Sequence, residues 1–374
     1  MIGIDLFAGA GGMSLGASMA GISVEFAVEL DACAAKTYSV NHPNSQIHVD
    51  DIRNVTKKKL QPWIDRQDEL VLFGGPPCQG FSWSNARTRN TDNRSNWLFK
   101  EFVRVTKLLK PSWVVFENVQ GIVDTAEGVF VQQIRDELTS LGYSVQSSRL
   151  NALHFGVPQD RTRFFLVGSR SGHTFQFPVP QPVRFTVDDA IRDLPRLENG
   201  SSECWRKYGR ARPSEYAKGL RCDFKGCCNH LVTHSADFVV KRFAFVPQGG
   251  NWQDIPARLM KNYTDRSRCH TGIYHRLRLD SPSVVIGNFR KNMLIHPTQD
   301  RGLSVREAAR VQSFPDSYTF HGSIGFQQQQ VGNAVPPLLA CEVFRAISCA
   351  KVGKHSLSNK KSSRRSGRKC SKGV

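Results

Sequence analysis

The chain has 374 residues, 40% of them hydrophobic, and its 51 Lys and Arg against 32 Asp and Glu give a formal net charge of +19. That length can bury a large core and predicts one large domain plus a smaller one; nothing in it is apolar enough to span a bilayer or laid out as a signal peptide, and ten irregularly spaced cysteines read as reduced thiols, so a soluble intracellular protein is expected. Residues 351–374 hold nine basic side chains and no acidic one, leaving +10 on the rest, an excess that points to a polyanionic partner, with plain solubility as the alternative.

Up to about residue 180, short apolar runs alternate with helical patterns. Residues 2–7, 24–28, 70–73, 113–116 and 164–168 are predicted strands, and Phe130, Ile134, Leu138 and Leu141 form a helical stripe that stops at Gly142. This is the pattern of a doubly wound α/β sheet, largely parallel and covered by helices on both faces. Such sheets bind ligands beyond the carboxyl ends of their strands, and the suggestive motifs of this chain all fall just after predicted strands.

From about residue 184 to 300 the sequence is irregular and basic, and it is expected to form the second domain. Residues 201–225 set seven Lys and Arg against three acids, interleaved with Trp205, Tyr208, Tyr216 and Phe224, a mixture suited to phosphates and base edges or to a solvated loop. Ser304 and Glu307 then form a capping-box pattern that opens a helix through Phe314. The basic stretch 360–369 is expected to be disordered, with nonspecific DNA binding as its use.

Three segments carry chemistry. Asp5-Leu6-Phe7-Ala8-Gly9-Ala10-Gly11-Gly12 is a strand entering a glycine-rich turn and a helix, which lets a cofactor lie against bare backbone; nicotinamide, flavin and methyl-transfer enzymes share it. The turn lacks regular G-x-G-x-x-G spacing, and Glu29 ends the next strand, where a carboxylate could accept ribose hydroxyls. Cys78, in Gly74-Gly75-Pro76-Pro77-Cys78-Gln79-Gly80-Phe81-Ser82, follows a buried strand on a stiff turn, which suits a nucleophile, although a small core cysteine is equally compatible with that segment alone. Phe116-Glu117-Asn118-Val119 and Gln159-Asp160-Arg161-Thr162-Arg163 lie at two further strand ends.

In this order, and with residues 306–316 and 330–335 near the C-terminus, these segments resemble the DNA (cytosine-5) methyltransferases of restriction-modification systems; the likeness covers about residues 2–183 and 296–345. It implies a Rossmann-like methyltransferase sheet in residues 1–183, completed by 327–350, a smaller irregular DNA-recognition domain in 184–326, and a basic tail in 351–374. It also implies S-adenosyl-L-methionine as methyl donor. Phe7 and the backbone of Ala8, Gly9, Ala10, Gly11 and Gly12 would line its methionine and adenine, Glu29 its ribose, Leu30 and Ile52 the adenine faces, and Asp51 the adenine amino group; Pro77, Leu98, Asn333 and Val335 complete that site.

For catalysis the resemblance assigns Cys78 as the thiolate that adds to carbon 6 of cytosine, Glu117 as the acid at ring nitrogen 3, and Arg163 with Arg161 as anchors of the base's carbonyl and the local backbone. Because carbon 6 is inaccessible in a stacked duplex, the cytosine must be flipped out. Gln79, Ser82, Asn251 and Arg310 are the expected DNA contacts, with Asn251 placed toward the orphaned guanine, and Val285 stands where relatives usually carry a backbone-touching threonine. Cys222, Cys227, Cys228 and His230, with Cys204 and Cys269 more remote, lack a second well-spaced ligand pair, so no metal is expected. The implied protein is a monomer of bacterial or phage origin acting on duplex DNA in the cytoplasm at the nucleoid, without added regulatory domains and with a cognate endonuclease acting separately. Methylation of transfer RNA and a catalytically weak DNA-binding regulator are the alternatives.

Overall fold

The structure, a computed structural model, describes residues 1–352 apart from 67, 78–97, 125–127, 171–172, 264–270, 288 and 292. Strand β1 (Ile2–Leu6) leads through a glycine-rich turn into α1 (Gly12–Met19), followed by β2 (Ser23–Glu29), α2 (Ala32–Asn41), β3 (Gln46–Val49), α3 (Lys57–Ile64), β4 (Leu70–Gly74), α4 (Phe99–Leu109) and β5 (Trp113–Val119). Then come α5 (Gly121–Asp124), α6 (Val129–Ser140), β6 (Ser144–Asn151) and β7 (Thr162–Ser169). These seven strands make one sheet in the order β3-β2-β1-β4-β5-β7-β6, in which β7 runs antiparallel to both β5 and β6.

Period-two alternation explains how this sheet is held. Leu70 and Leu72 of β4, Val114 and Phe116 of β5, and Phe164 and Leu166 of β7 enter one core with α3, α4 and α6. Their neighbours Val71, Phe73, Trp113, Val115, Phe165 and Val167 enter a second core on the opposite face. That second face is covered by α1 and by the final helix, whose Leu339, Ala340, Val343, Phe344 and Ile347 pack beside Met13 and Ala17. The two strands that composition does not reveal, β3 and β6, are outer strands of the sheet with mixed, partly exposed side chains, so no continuous apolar run marks them.

Residues 184–326 hold short elements separated by irregular stretches. A two-residue strand β8 (His173–Thr174) is followed by α7 (Val187–Ile191), β9 (Trp205–Lys207), α8 (Glu215–Arg221), β10 (Gly226–Cys228), α9 (Asp237–Phe243) and α10 (Val305–Val311). The capping box at Ser304 and Glu307 is present, but α10 stops at Val311 because Ser313 adopts a left-handed φ of 66°. Finally α11 (Ile324–Asn333) and α12 (Pro337–Ser348) return the chain to the first region, where β11 (Lys351–Val352) pairs with β8.

Candidate active site

Because β1, β2, β3, β4 and β5 are parallel, their carboxyl ends open on one edge, and the order reverses between β1 and β4, the place where open α/β sheets seat their ligands. At the end of β1, Phe7 takes a left-handed φ of 63°, an arrangement that costs about 1–3 kcal/mol and is typically kept for function. The turn that follows is tied to β2: the Glu29 carboxylate accepts the Gly9 N–H at 2.7 Å and the Asp31 N–H at 2.8 Å. Burial raises the Glu29 pKa, against the pull of those two backbone bonds. A side chain at Gly9 would point into open space, so the turn presents bare backbone outward, as a ligand seat requires. Gly12 faces the opposite way, against the carbonyl of Val335, which brings residues 333–335 beside the turn. Asn333 is exposed there, whereas Val335 is buried.

Around this seat, Leu30 is 68% exposed and Ile52 is buried in the core below. Asp51 caps the short turn at 52–54; its carboxylate accepts from the Arg53 backbone and guanidinium, and those hydrogen bonds hold its pKa down to about 2. Pro77 is exposed and Leu98 half-buried at the start of α4.

Next along the edge lies a buried carboxyl. Glu117 at the end of β5 is 7% exposed, with the Arg163 Nε 3.1 Å from its Oε1. The pairing follows from the antiparallel register, which sets Val119 opposite Arg163 and so puts the start of β7 at the end of β5. Burial raises the Glu117 pKa, and the charges of Arg163 and then Arg161 pull against it. A Cβ at Gly75 would lie 2.5 Å from the Glu117 Oε2, so a side chain there would displace the carboxyl. Asn118 donates to the Pro76 carbonyl at 3.1 Å and so fixes the segment that leads to residue 78. Sequence reasoning assigns Asn118 no role, although it stands in the same strand-end tetrad as Glu117; that position is the signal that could have found it. Cys78, Gln79 and Ser82 lie outside the described residues.

Arg161 stands near the same carboxyl, but its guanidinium is bonded elsewhere. It is 1% exposed and donates to the carbonyls of Ile286, Gly332 and Ala334, holding residues of the second region and the C-terminal segment against β7. Gln159 works beside it, accepting the Ile286 N–H at 2.8 Å and donating to Gln312 at 2.9 Å.

Arg310 corrects the expectation of a DNA contact. Its side chain is fully buried and bonds Asp316 twice, at 2.9 and 2.6 Å, and Asp193 at 2.6 Å. A guanidinium enclosed by two carboxylates has no donor to offer a phosphate. Asn251 caps a short turn, its Oδ1 accepting the Gln253 N–H, and Val285 is 47% exposed. In the aromatic-basic stretch, Trp205 and Phe224 are exposed, whereas Tyr216 is buried and donates to the Arg310 carbonyl at 2.6 Å. His230 engages Ser304 and the Pro195 carbonyl, and burial pushes the Cys227 thiol up to about 12. Cys269 is not described, and among the described residues no group of three His, Cys, Asp or Glu is arranged to hold a metal. Among the described residues, likewise, no helix is long and apolar enough to cross a membrane.

Known proteins resemble this chain in sequence and in fold. The C-5 cytosine-specific DNA methylase family matches residues 1–349. The Type II methyltransferase M1.HphI of Haemophilus parahaemolyticus is 38% identical over 347 residues, which cover 92% of this chain and 86% of that protein. M.DdeI of Desulfomicrobium norvegicum is 34% identical over 369 residues, with 92% and 88% covered. A crystal structure of a prophage-encoded E. coli protein, described as a candidate DNA modification methyltransferase, superposes with a TM-score of 0.76 at 25% identity over 93% of this chain and 98% of that one. The S. pombe Dnmt2 methyltransferase shares the fold, with a TM-score of 0.56 at 16% identity over 92% and 97%. A seven-stranded sheet with one antiparallel strand, a glycine-rich seat after β1 and a buried Glu–Arg pair after β5 thus accompany a match across nearly the whole sequence, and the chain belongs to the C-5 cytosine-specific DNA methylases.

Proposed function

We propose that this DNA cytosine-5 methyltransferase acts on a cytosine flipped out of a specific duplex sequence, by transient covalent bonding to Cys78, with S-adenosyl-L-methionine as methyl donor. The observation that carries the reading is the buried Glu117–Arg163 pair, set two strands along the sheet from β1 and its glycine-rich turn, with Asn118 beside it bonded to the segment that leads to Cys78. The outward-facing Gly9 and the carboxylate of Glu29 fit such a cofactor, with Phe7, Leu30, Asp51 and Asn333 around it. When bound, that cofactor supplies an electrophilic methyl group for carbon 5.

The protein's own residues would act on the ring. The Cys78 thiolate adds to carbon 6 and turns carbon 5 into an enamine nucleophile; once carbon 5 carries the methyl group, loss of its proton to solvent and elimination of the Cys78 thiolate from carbon 6 restore the aromatic ring, a step that fluorine at carbon 5 blocks. As the thiolate adds, negative charge develops on the ring, and a neutral carboxylic acid at nitrogen 3 can share its proton with it; burial favours that neutral form of Glu117. Arg163 holds the Glu117 carboxyl in place, its own guanidinium tied to the Thr162 carbonyl, and by the family resemblance would lie beside the base's carbonyl oxygen. Residues 184–326 would select the target sequence, the protein acting as a monomer beside a separate endonuclease of the same specificity.

Bisulfite sequencing of DNA from cells that express the protein tests the reaction and names its target. A denaturation-resistant adduct with a target duplex containing 5-fluorocytosine, formed by the wild type and absent for Cys78→Ser, tests the covalent step. Methylation that survives in Cys78→Ser would overturn it.

A further inference from the structure

The glycine-rich turn is held from behind by a part of the chain more than 300 residues away. Tyr318 donates its hydroxyl proton to the Ala10 carbonyl, and the His42 Nε2 lies 3.0 Å from the same hydroxyl oxygen. Since a carbonyl only accepts, the tyrosine proton goes to Ala10, and His42 must donate through Nε2–H to the tyrosine oxygen. The two side chains fill the space behind Gly11: a Cβ there would lie 2.5 Å from the His42 Nε2 and 2.7 Å from the Tyr318 hydroxyl. Gly11 has a φ of 89°, so the turn reaches its shape only with no side chain at that position and with this pair beneath it.

The pair is itself anchored. Residues 318–321 run along α2 as a strap: Asn41 accepts the Thr319 N–H at 2.9 Å and donates to the Thr319 carbonyl at 2.8 Å, and Thr37 accepts the His321 N–H at 2.8 Å. On the far side, the buried Arg306 donates to the Tyr318 carbonyl at 2.5 Å and the Cys228 carbonyl at 2.9 Å, and so links the strap to α10 and β10. The His42 ring packs between those of Tyr38 and Tyr318, with centroids 4.4 and 5.9 Å away.

We propose that Tyr318, with His42 as its orienting partner, is a positioning residue for the cofactor: its hydroxyl sets the Ala10–Gly11 peptide in the shape that receives S-adenosylmethionine. This rests on the reading of the turn as the cofactor's seat. The group touches no reacting atom, so its removal alters cofactor binding while leaving DNA binding and the chemical step in place.

Tyr318→Phe keeps the ring and its packing but deletes the bond to Ala10. The expected result, measured by calorimetric titration of the full-length protein with S-adenosylhomocysteine, is a 5- to 20-fold weaker Kd, a lost hydrogen bond and its unpaired carbonyl together being worth on the order of 1–2 kcal/mol. KM for S-adenosylmethionine should rise in step, with kcat at saturating cofactor and Kd for duplex DNA within twofold of wild type. His42→Leu, which removes only the orienting donor, should show a smaller weakening in the same direction, and His42→Gln, which restores a donor, should recover part of it. A folded Tyr318→Phe protein with wild-type cofactor affinity would overturn the proposal, as would a variant whose melting temperature falls while its cofactor Kd holds. If the wild type itself failed to bind either compound, the seat rather than the strap would be at fault.

Discussion

Strands β1 and β4 are fully buried and send Ile2, Ile4, Leu6, Leu70 and Leu72 into an apolar core, their backbone groups satisfied by one another across the sheet. Residues 184–326 have few ladders, and there Arg276, Arg301, Arg306 and Arg310 lie at 6% exposure or less. Arg276 alone bonds the carbonyls of Val246, His296, Gln299 and Phe243. A loop-rich interior must find donors for its carbonyls, and the planar five-donor guanidinium supplies several from one side chain. Positive charge in the second region is therefore partly internal framework. The buried acids divide in the same way. Those of the first region, Asp5, Glu29 and Glu117, are raised by burial. In the second, burial alone would raise Glu307 and Asp316, but Arg301 and Arg310 outweigh it and hold both below their ordinary range.

If that contrast separates working groups from framework, replacing one of each should give opposite phenotypes. Glu117→Gln keeps hydrogen bonding but removes the shared proton; turnover should fall by a factor of about 100 or more, with DNA affinity and melting temperature nearly unchanged. Steady-state kinetics beside a DNA-binding titration checks this, and lost affinity with retained turnover would make Glu117 a binding residue instead. Arg310→Ala should do the reverse: it takes from the buried Asp193 and Asp316 the guanidinium that joins them, leaving Asp193 to Arg221 and Asp316 to the Tyr208 hydroxyl and the more distant Arg306, and costs about 3 kcal/mol of stability, read as a lowered denaturant midpoint. A stable Arg310→Ala protein with weakened DNA binding would return Arg310 to the DNA surface.

The acids sharpen the comparison further. Burial pushes the Asp5 carboxyl up to about 8, although the Ser14 hydroxyl, 2.6 Å away, favours its ionised form. Below about pH 4 both folded and unfolded chains hold this proton; between about 4 and 8 only the unfolded chain releases it, so stability falls as pH rises. Asp5→Asn should remove that dependence, whose steepest slope for one proton is about 1.4 kcal/mol per pH unit. Melting curves of wild type and variant from pH 4 to 8 should diverge in favour of the variant as pH rises; parallel curves would mean that Asp5 ionises normally. The smallest effect is expected from cutting after Val352, which removes eight Lys and Arg and no acidic residue. Nonspecific DNA affinity and its salt dependence should decrease while the methylated sequence stays the same, and a changed target would show that the tail reads bases.

Local physics makes much of the molecule legible in the sequence itself. Five apolar runs locate β1, β2, β4, β5 and β7 to within a few residues, because a strand buried on both faces needs uninterrupted apolar side chains. The glycine-rich turn, Glu29 and Glu117 are readable as strand-end motifs for a related reason: α/β topology gathers whatever follows its parallel strands at one edge. Strands β3 and β6 are not legible, since outer strands with polar, half-exposed sides carry no such run. Nor is the fate of the arginines. An arginine in sequence is a charge, and whether it meets a phosphate, as a basic composition suggests, or a ring of carbonyls and carboxylates, as Arg161 and Arg310 do, depends on which distant segments surround it. The same holds for Tyr318, His42 and Gly11: each is ordinary in its own stretch of chain, and their meeting behind the glycine-rich turn is a long-range contact that only the folded arrangement of α2, the strap at 318–321 and β1 brings about.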